Sequence, residues 1–208
     1  MHKKIIVVGI GPGDKKYITP AALEKIQAAK FLVGGRRAIS EFANSAQETF
    51  AITRDLESVI NFVREKILIS EVVVMVSGDP GYYSILEFLK KNFSIEQIEV
   101  IPSISAMQLA FAKLSLSWYS ATLLSFHGRQ PSNAELKFEK NKVLGLLTDA
   151  DFNSQTVSKI LIEIGWAKNS NLAICSKLSY ADEEIILTTL EKAANSAPVK
   201  HCILIVGF

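Results

Sequence analysis

The feature that most limits the folds open to this chain is a series of short, continuous apolar runs, each closed by glycine or proline. Ile5–Val8 is β-branched and unbroken, the pattern of a strand covered on both faces rather than one. Gly11-Pro12-Gly13 ends it. Thr19-Pro20 then offers an N-cap with proline at the first helical position, and Ala22, Ile26 and Ala29 recur at helical spacing beside Leu23. Phe31-Leu32-Val33 runs into Gly34-Gly35, and Val72–Val76 into Ser77-Gly78-Asp79-Pro80-Gly81. Between them, 36–43 reads as a short helix and 49–52 as a short strand. Asp55 caps a helix with Leu56, Ile60, Val63 and Ile67 along one stripe. Residues 83–89 are expected to be helical and 98–101 a strand, and Pro102-Ser103 is expected to open a helix from about Ile104 to Leu114. Strands alternating with helices in this way imply a mostly parallel sheet.

Helical spacing stops around Ser115–Tyr119, which places a domain boundary there, with an N-terminal domain over 1–115 and a C-terminal domain over 120–208. Beyond it, strands are expected at 122–126, 143–147, 172–175, 184–189 and 202–206. One strong helix, 154–164, closed by Gly165, separates them, so the second half reads as a mixed, partly antiparallel α/β unit. A length of 208 residues accommodates two small domains, and 49% hydrophobic against 21% charged residues excludes disorder as the main state.

Charge and cysteine usage narrow the function classes. The 23 basic and 21 acidic residues leave a net charge of +2, far from the basic footprint of a nucleic-acid binder. Cys175 and Cys202 make no disulfide framework and have no metal-ligand spacing, so reduced thiols and no metal are expected. The first apolar run is too short for an export signal or a membrane span, which gives a cytoplasmic expectation.

Three small-residue turns carry the chemistry. Gly9-Ile10-Gly11-Pro12-Gly13-Asp14 follows the first strand, where a ligand approaches backbone closely. It is not a dinucleotide fingerprint, since Asp14 stands where the last glycine would be and Pro12 removes an N–H; no nucleotide-triphosphate loop occurs either. Ser77-Gly78-Asp79-Pro80-Gly81-Tyr82-Tyr83-Ser84 repeats the pattern after a second strand, and Pro102-Ser103-Ile104-Ser105-Ala106 follows a third. Asp14 and Asp79 in backbone-rich loops suit a neutral or cationic ligand better than a phosphate, although each turn alone is also an ordinary turn or helix cap. In the second half, Phe126-His127-Gly128-Arg129 puts a histidine and an arginine on a glycine turn. That is a recognition point for carboxylates, or a solvated surface turn.

The order G-x-G-P-G-D, G-D-P-G-x-Y-S, P-S-x-S-A resembles the tetrapyrrole (corrin and porphyrin) methylases that use S-adenosylmethionine, and the resemblance covers almost the whole chain. Ser125-Phe126-His127-Gly128-Arg129 is similar to the S-x-H-G-R signature of the precorrin C-5 methylases of cobalamin synthesis, and Leu178-Ser179-Tyr180-Ala181-Asp182-Glu183 fits that branch. Ser77 departs from the wider family, many members of which have glycine there.

The resemblance implies two α/β domains with the active site in the cleft between them, a homodimer, and S-adenosylmethionine as cofactor. Carried over by position, Pro12, Ser77, Gly78, Asp79, Tyr82, Ser105 and Ala106 bind the cofactor from the first domain, and Leu147 and Leu178 from the second. The substrate implied is a precorrin methylated at C-5, with cobalt-precorrin-7 favoured because the chain has no room for a fused C-15 methylase; that step would fall to a separate partner protein. His127 and Arg129 are the substrate-binding candidates, with Arg36 and Arg37 behind them, and Tyr83 and His127 the candidates for moving a proton on the ring. No nucleic acid or membrane partner is implied. Two other classes stay open: a related methylase acting on another tetrapyrrole position or on a macromolecule (diphthamide or ribosomal RNA), and a non-catalytic ligand-binding subunit paired with a C-15 methylase.

Overall fold

β1 (Ile5–Gly9) is buried along its whole length because helices cover both faces of the sheet it belongs to. The computed structural model describes residues 3–208. From β1 the chain runs through α1 (Pro20–Ala28), β2 (Phe31–Gly34), α2 (Arg36–Phe42), β3 (Glu48–Ala51), α3 (Leu56–Lys66), β4 (Val72–Val76), α4 (Leu86–Asn92) and β5 (Ile98–Ile101). The strands form one sheet in the order β3-β2-β4-β1-β5, with every pair parallel. Alternate side chains of β1 enter separate cores. Ile5 and Val7 pack with Val59, Ile60 and Val63 of α3, while Ile6 and Val8 pack with Ala22 and Ile26 of α1 and Ala38 of α2. Such a strand has no solvent face, which is why its sequence shows no alternation.

Local signals place most helix starts. Thr19 Oγ1 accepts the N–H of Ala22 with Pro20 at the first position of α1, and Asp55 accepts the N–H of Ser58 at the start of α3. The helix expected from Tyr83 begins instead at Leu86. Tyr83 has a left-handed backbone (φ 51°), and Ser84 Oγ accepts the N–H of Leu86 at 3.1 Å, so the loop after β4 runs on for a few more residues.

The chain divides into two compact units, the first ending at Ser105 and the second beginning at Ala106. The helix expected to close the first unit, α5 (Ala106–Lys113), therefore opens the second, and the division falls before the expected boundary at 115–119. The reason is packing: a Cβ added at Gly145 would lie 2.7 Å from Met107 Sδ and 3.0 Å from Phe111 Cε2, so α5 sits directly on a bare stretch of strand in the second unit.

The second unit continues with β6 (Thr122–Ser125), α6 (Asn133–Leu136), β7 (Leu144–Leu147), α7 (Ser154–Glu163), β8 (Asn171–Ser176), β9 (Glu184–Thr189), α8 (Leu190–Ala194) and β10 (Ile203–Val206). The sheet order is β6-β7-β10-β8-β9. Only β6 and β7 are parallel neighbours, so the sheet is mixed, as its sequence implies. Leu144, Leu146, Leu172, Leu204 and Val206 pack against Val157 and Leu161 of α7. The short helices α6 and α8 escape detection by periodicity, since neither completes two turns; their caps, Ser132 and Thr189, are their only local signals. Among the described residues, no helix is long and apolar enough to cross a membrane.

Candidate functional site

In the first unit, all five strands point the same way, so the three glycine- and serine-rich turns leave one edge of the sheet. They meet over Gly9. A Cβ there would lie 2.6 Å from the Gly78 carbonyl oxygen, 2.6 Å from Ser103 Cβ and 2.9 Å from Pro80 Cδ. The first two turns are also bridged through backbone: Gly78 N–H donates to the Gly11 carbonyl at 2.8 Å. Both glycines hold left-handed conformations (φ 77° and 70°), which explains the residue type at each.

Asp79 joins the second turn to the third. Its Oδ1 accepts the N–H of Gly81 at 2.8 Å and its Oδ2 the N–H of Ser103 at 2.9 Å, while Ser103 Oγ donates to the Tyr17 carbonyl at 3.4 Å. Asp14 likewise accepts the N–H of Lys16 at 2.9 Å and pairs with its ammonium at 2.9 Å. Those Lys16 contacts, the backbone one first, hold the Asp14 carboxyl below the usual carboxylate range. The two carboxylates expected to face a cationic ligand thus do local work, building the loops whose backbone groups form the edge. Arg37, a candidate for carboxylate binding, is similarly committed, donating to the Gly13 carbonyl at 3.5 Å and pairing with Glu41 at 3.1 Å. Arg36 stays exposed.

Tyr82 carries the unsatisfied polar group of this edge. Its hydroxyl is buried and has no hydrogen-bond partner among the described residues. Burial, with Tyr83 at its side, pushes the phenol well above its ordinary pKa, so it stays a neutral O–H donor. The Tyr83 ring lies 4.8 Å away, edge-on, and itself remains exposed. Pro12, Ser77, Gly78, Asp79, Tyr82 and Ser105 all lie on these three turns, whereas Ala106 is the first residue of α5 in the second unit. The donor set at this edge is backbone, hydroxyls and braced carboxylates, with no cation among those six. It suits a neutral, cationic or zwitterionic ligand better than a phosphate, for which a cationic side chain would be the usual partner.

In the second unit, Ser125, Leu147, Ile203 and Cys175 stand level across four strands, so the loops after β6, β7 and β8 leave a common edge. That edge gathers the remaining candidates. Leu147 is half-buried, and Leu178 is buried between two left-handed residues, Lys177 and Ser179 (φ 48° and 74°). Ser179 N–H donates to Glu183 at 2.7 Å, and Glu183 pairs with Lys113 of α5 at 2.6 Å. His127 and Arg129 are exposed on the turn after β6, whose root, Phe126, is fully buried and donates its N–H to the Leu147 carbonyl at 2.8 Å.

Sequence reasoning missed Asp149. Its Oδ2 accepts the N–H of Gly128 at 3.0 Å, and its Oδ1 accepts those of Asp151 and Phe152 at 2.9 and 2.8 Å. The Gly128 and Phe152 N–H groups, then Asp151 and the nearby His127, hold its carboxyl below the usual carboxylate range. The local turn is a signal that an acid just past a strand end provides. The link to Gly128 spans two strands, and no spacing rule reveals it.

A family model described as Tetrapyrrole (Corrin/Porphyrin) Methylases matches residues 4–194. A Methanocaldococcus jannaschii protein named probable cobalt-precorrin-7 C(5)-methyltransferase is 31% identical over 197 residues, 92% of either chain. The cobalt-precorrin-7 C(5)-methyltransferase of Salmonella typhimurium is 34% identical over 164 residues, 77% of this chain and 79% of the relative. Among solved structures, the uroporphyrin-III C-methyl transferase of Thermus thermophilus, complexed with S-adenyl homocysteine, superposes with a TM-score of 0.78 at 17% identity, covering 98% of this chain and 92% of that one.

Proposed function

The chain belongs to the tetrapyrrole (corrin/porphyrin) methylases, and on that premise we propose that it transfers the methyl group of S-adenosylmethionine to C-5 of cobalt-precorrin-7 in cobalamin biosynthesis. The observation that carries the position of attack is the Ser125–Arg129 turn, found in a chain 31% and 34% identical to two proteins named for C-5 methylation. The cofactor assignment is supported by the methylase family, by a fold neighbour complexed with S-adenyl homocysteine, and by a ligand edge with no cation among its assigned residues.

S-adenosylmethionine, when bound, supplies a methyl group already activated on a sulfonium, with a neutral thioether as leaving group. The protein's contribution is therefore alignment and exclusion of water, and well-oriented reactions gain roughly 7–11 kcal/mol from positioning. In this reading the turns carrying Pro12, Ser77, Gly78 and Ser105 offer backbone and hydroxyl groups to the cofactor, and the Tyr82 hydroxyl donates to it. Ala106, Leu147 and Leu178 supply apolar contact, and Asp79 acts by holding its loops together. Arg129 grips a peripheral carboxylate of the substrate with its planar fork, and His127 hydrogen-bonds beside it. His127 and Tyr83 carry the groups able to move a proton on the ring. The enzyme works as a homodimer on a free tetrapyrrole.

Mass spectrometry of cobalt-precorrin-7 incubated with the protein and methyl-labelled S-adenosylmethionine tests this function. One labelled methyl group on C-5, located by NMR, is the expected product. Label at another ring carbon, or no transfer to a tetrapyrrole at all, would overturn it.

A further inference from the structure

An exposed glycine turn is ordinarily held only at its ends, yet the turn after β6 is held at three successive residues. Phe126 is anchored in the core, its ring 5.3 Å from that of Phe152. His127 N–H donates to the buried Ser125 hydroxyl at 3.1 Å, and Gly128 N–H to Asp149 at 3.0 Å. Gly128 needs such a tie, because a glycine in a left-handed conformation (φ 66°), with nothing near where a Cβ would be, is otherwise free to rotate. The carboxylate that supplies the tie is itself fixed from the other side by the N–H groups of Asp151 and Phe152.

We propose that Asp149 is a positioning residue for methyl transfer: by holding Gly128 it keeps His127 and Arg129 in the one arrangement that grips the tetrapyrrole's carboxylates. The inference rests on the assignment of that turn to the substrate. A guanidinium grips a carboxylate well only when both N–H groups of its fork are aligned, so an anchored backbone under Arg129 converts a surface cation into a directed one. The carboxylate is suited to the task, since the N–H groups around it keep it ionised and therefore an acceptor on both oxygens.

Asp149→Asn separates the two halves of the clamp. Its amide oxygen can go on accepting from Asp151 and Phe152, which preserves the turn before α7, while its amide N–H groups then face the Gly128 N–H, donor against donor. Exchange of the Gly128 amide in the unliganded protein should speed up about tenfold, the equivalent of one ordinary hydrogen bond. KM for cobalt-precorrin-7 should rise about tenfold with S-adenosylmethionine affinity unchanged, since the turn holds the substrate and not the cofactor. In an Arg129→Ala background, Asp149→Asn should raise KM by clearly less than it does alone, leaving only the share that acts through His127. Asp149→Ser, whose hydroxyl can cap the local turn but not reach Gly128, repeats the measurement should the Asn variant fail to fold. Faster Gly128 exchange with unchanged KM, or additive KM losses in the double variant, would overturn the proposal. If Arg129→Ala alone leaves KM unchanged, the assignment of the turn to substrate has failed and the proposal falls with it. The exchange measurement would still report the clamp, which distinguishes the two failures.

Discussion

Asp79 shows how one side chain can serve a ligand without facing it. Each of its oxygens accepts a backbone N–H from a different turn, Gly81 in its own and Ser103 across the sheet edge. Hydrogen bonds to charged groups contribute about 1.5–3 kcal/mol each, so Asp79→Ala, which removes two, should lower stability by roughly 3 kcal/mol even at the lower end of that range. Cofactor affinity should fall as well, because the two turns would no longer be held in register. Asp79→Asn keeps one acceptor oxygen for Gly81 but sets an amide N–H against that of Ser103, and should fall between wild type and Ala on both counts. Urea unfolding and calorimetry with S-adenosylmethionine read the two effects; wild-type affinity in the Ala variant would show that Ser103 is held well enough without it. This role is not the one its residue type suggests. An acid in a glycine-rich loop reads as a partner for a cation, and only the positions of the two N–H groups show where its lone pairs go.

At the scale of elements, the end of β1 is the point on which the first unit's ligand edge depends. Gly9 is a strand residue, in register with Val76 of β4, and its missing side chain is the space in which three turns converge. Gly9→Ala would put a methyl 2.6 Å from a backbone carbonyl, which cannot rotate away as a flexible side chain would. Overpacking of this kind costs about 1–3 kcal/mol, and here the strain falls on the loops rather than the core. Cofactor affinity should therefore drop more than the melting temperature does, and an Ala variant with native affinity would mean that the turns part freely. The helix α5 makes the complementary point about Gly145, where a bare strand admits Met107 and Phe111. Helical spacing placed that helix within a few residues, but its membership in the second unit depends on Gly145, far onward in the chain, which no local pattern links to it.

For the whole molecule, a set of carboxylates held below their ordinary range gives the fold a predictable acid limit. Lys16 holds Asp14 down, Ser58 holds Asp55, Ser132 holds Glu135 and Gly128 holds Asp149. Each folded-state pKa lies below the unfolded value of about 4, so near that pH the unfolded chain binds more protons than the native one. Their stabilisation is complete above about pH 5 and is lost as pH falls through the lowered native values. Urea midpoints should stay level from pH 7 to about 5 and decline below about 4; a midpoint that holds at pH 3 would contradict it. The sequence by itself determined the parallel first sheet, the mixed second sheet, the caps at Thr19 and Asp55 and the three small-residue turns. These depend on neighbours a few residues apart: a β-branched run implies two covered faces, and a Thr-Pro or Gly-Pro pair restricts its own backbone. Only the tertiary structure decided that the three turns converge on Gly9, that α5 belongs to the second unit, that the Asp79 carboxylate braces its loops and that Asp149 clamps Gly128. Those contacts join residues far apart in the chain, and which donor finds which acceptor is set by strand order and register, which no local spacing encodes.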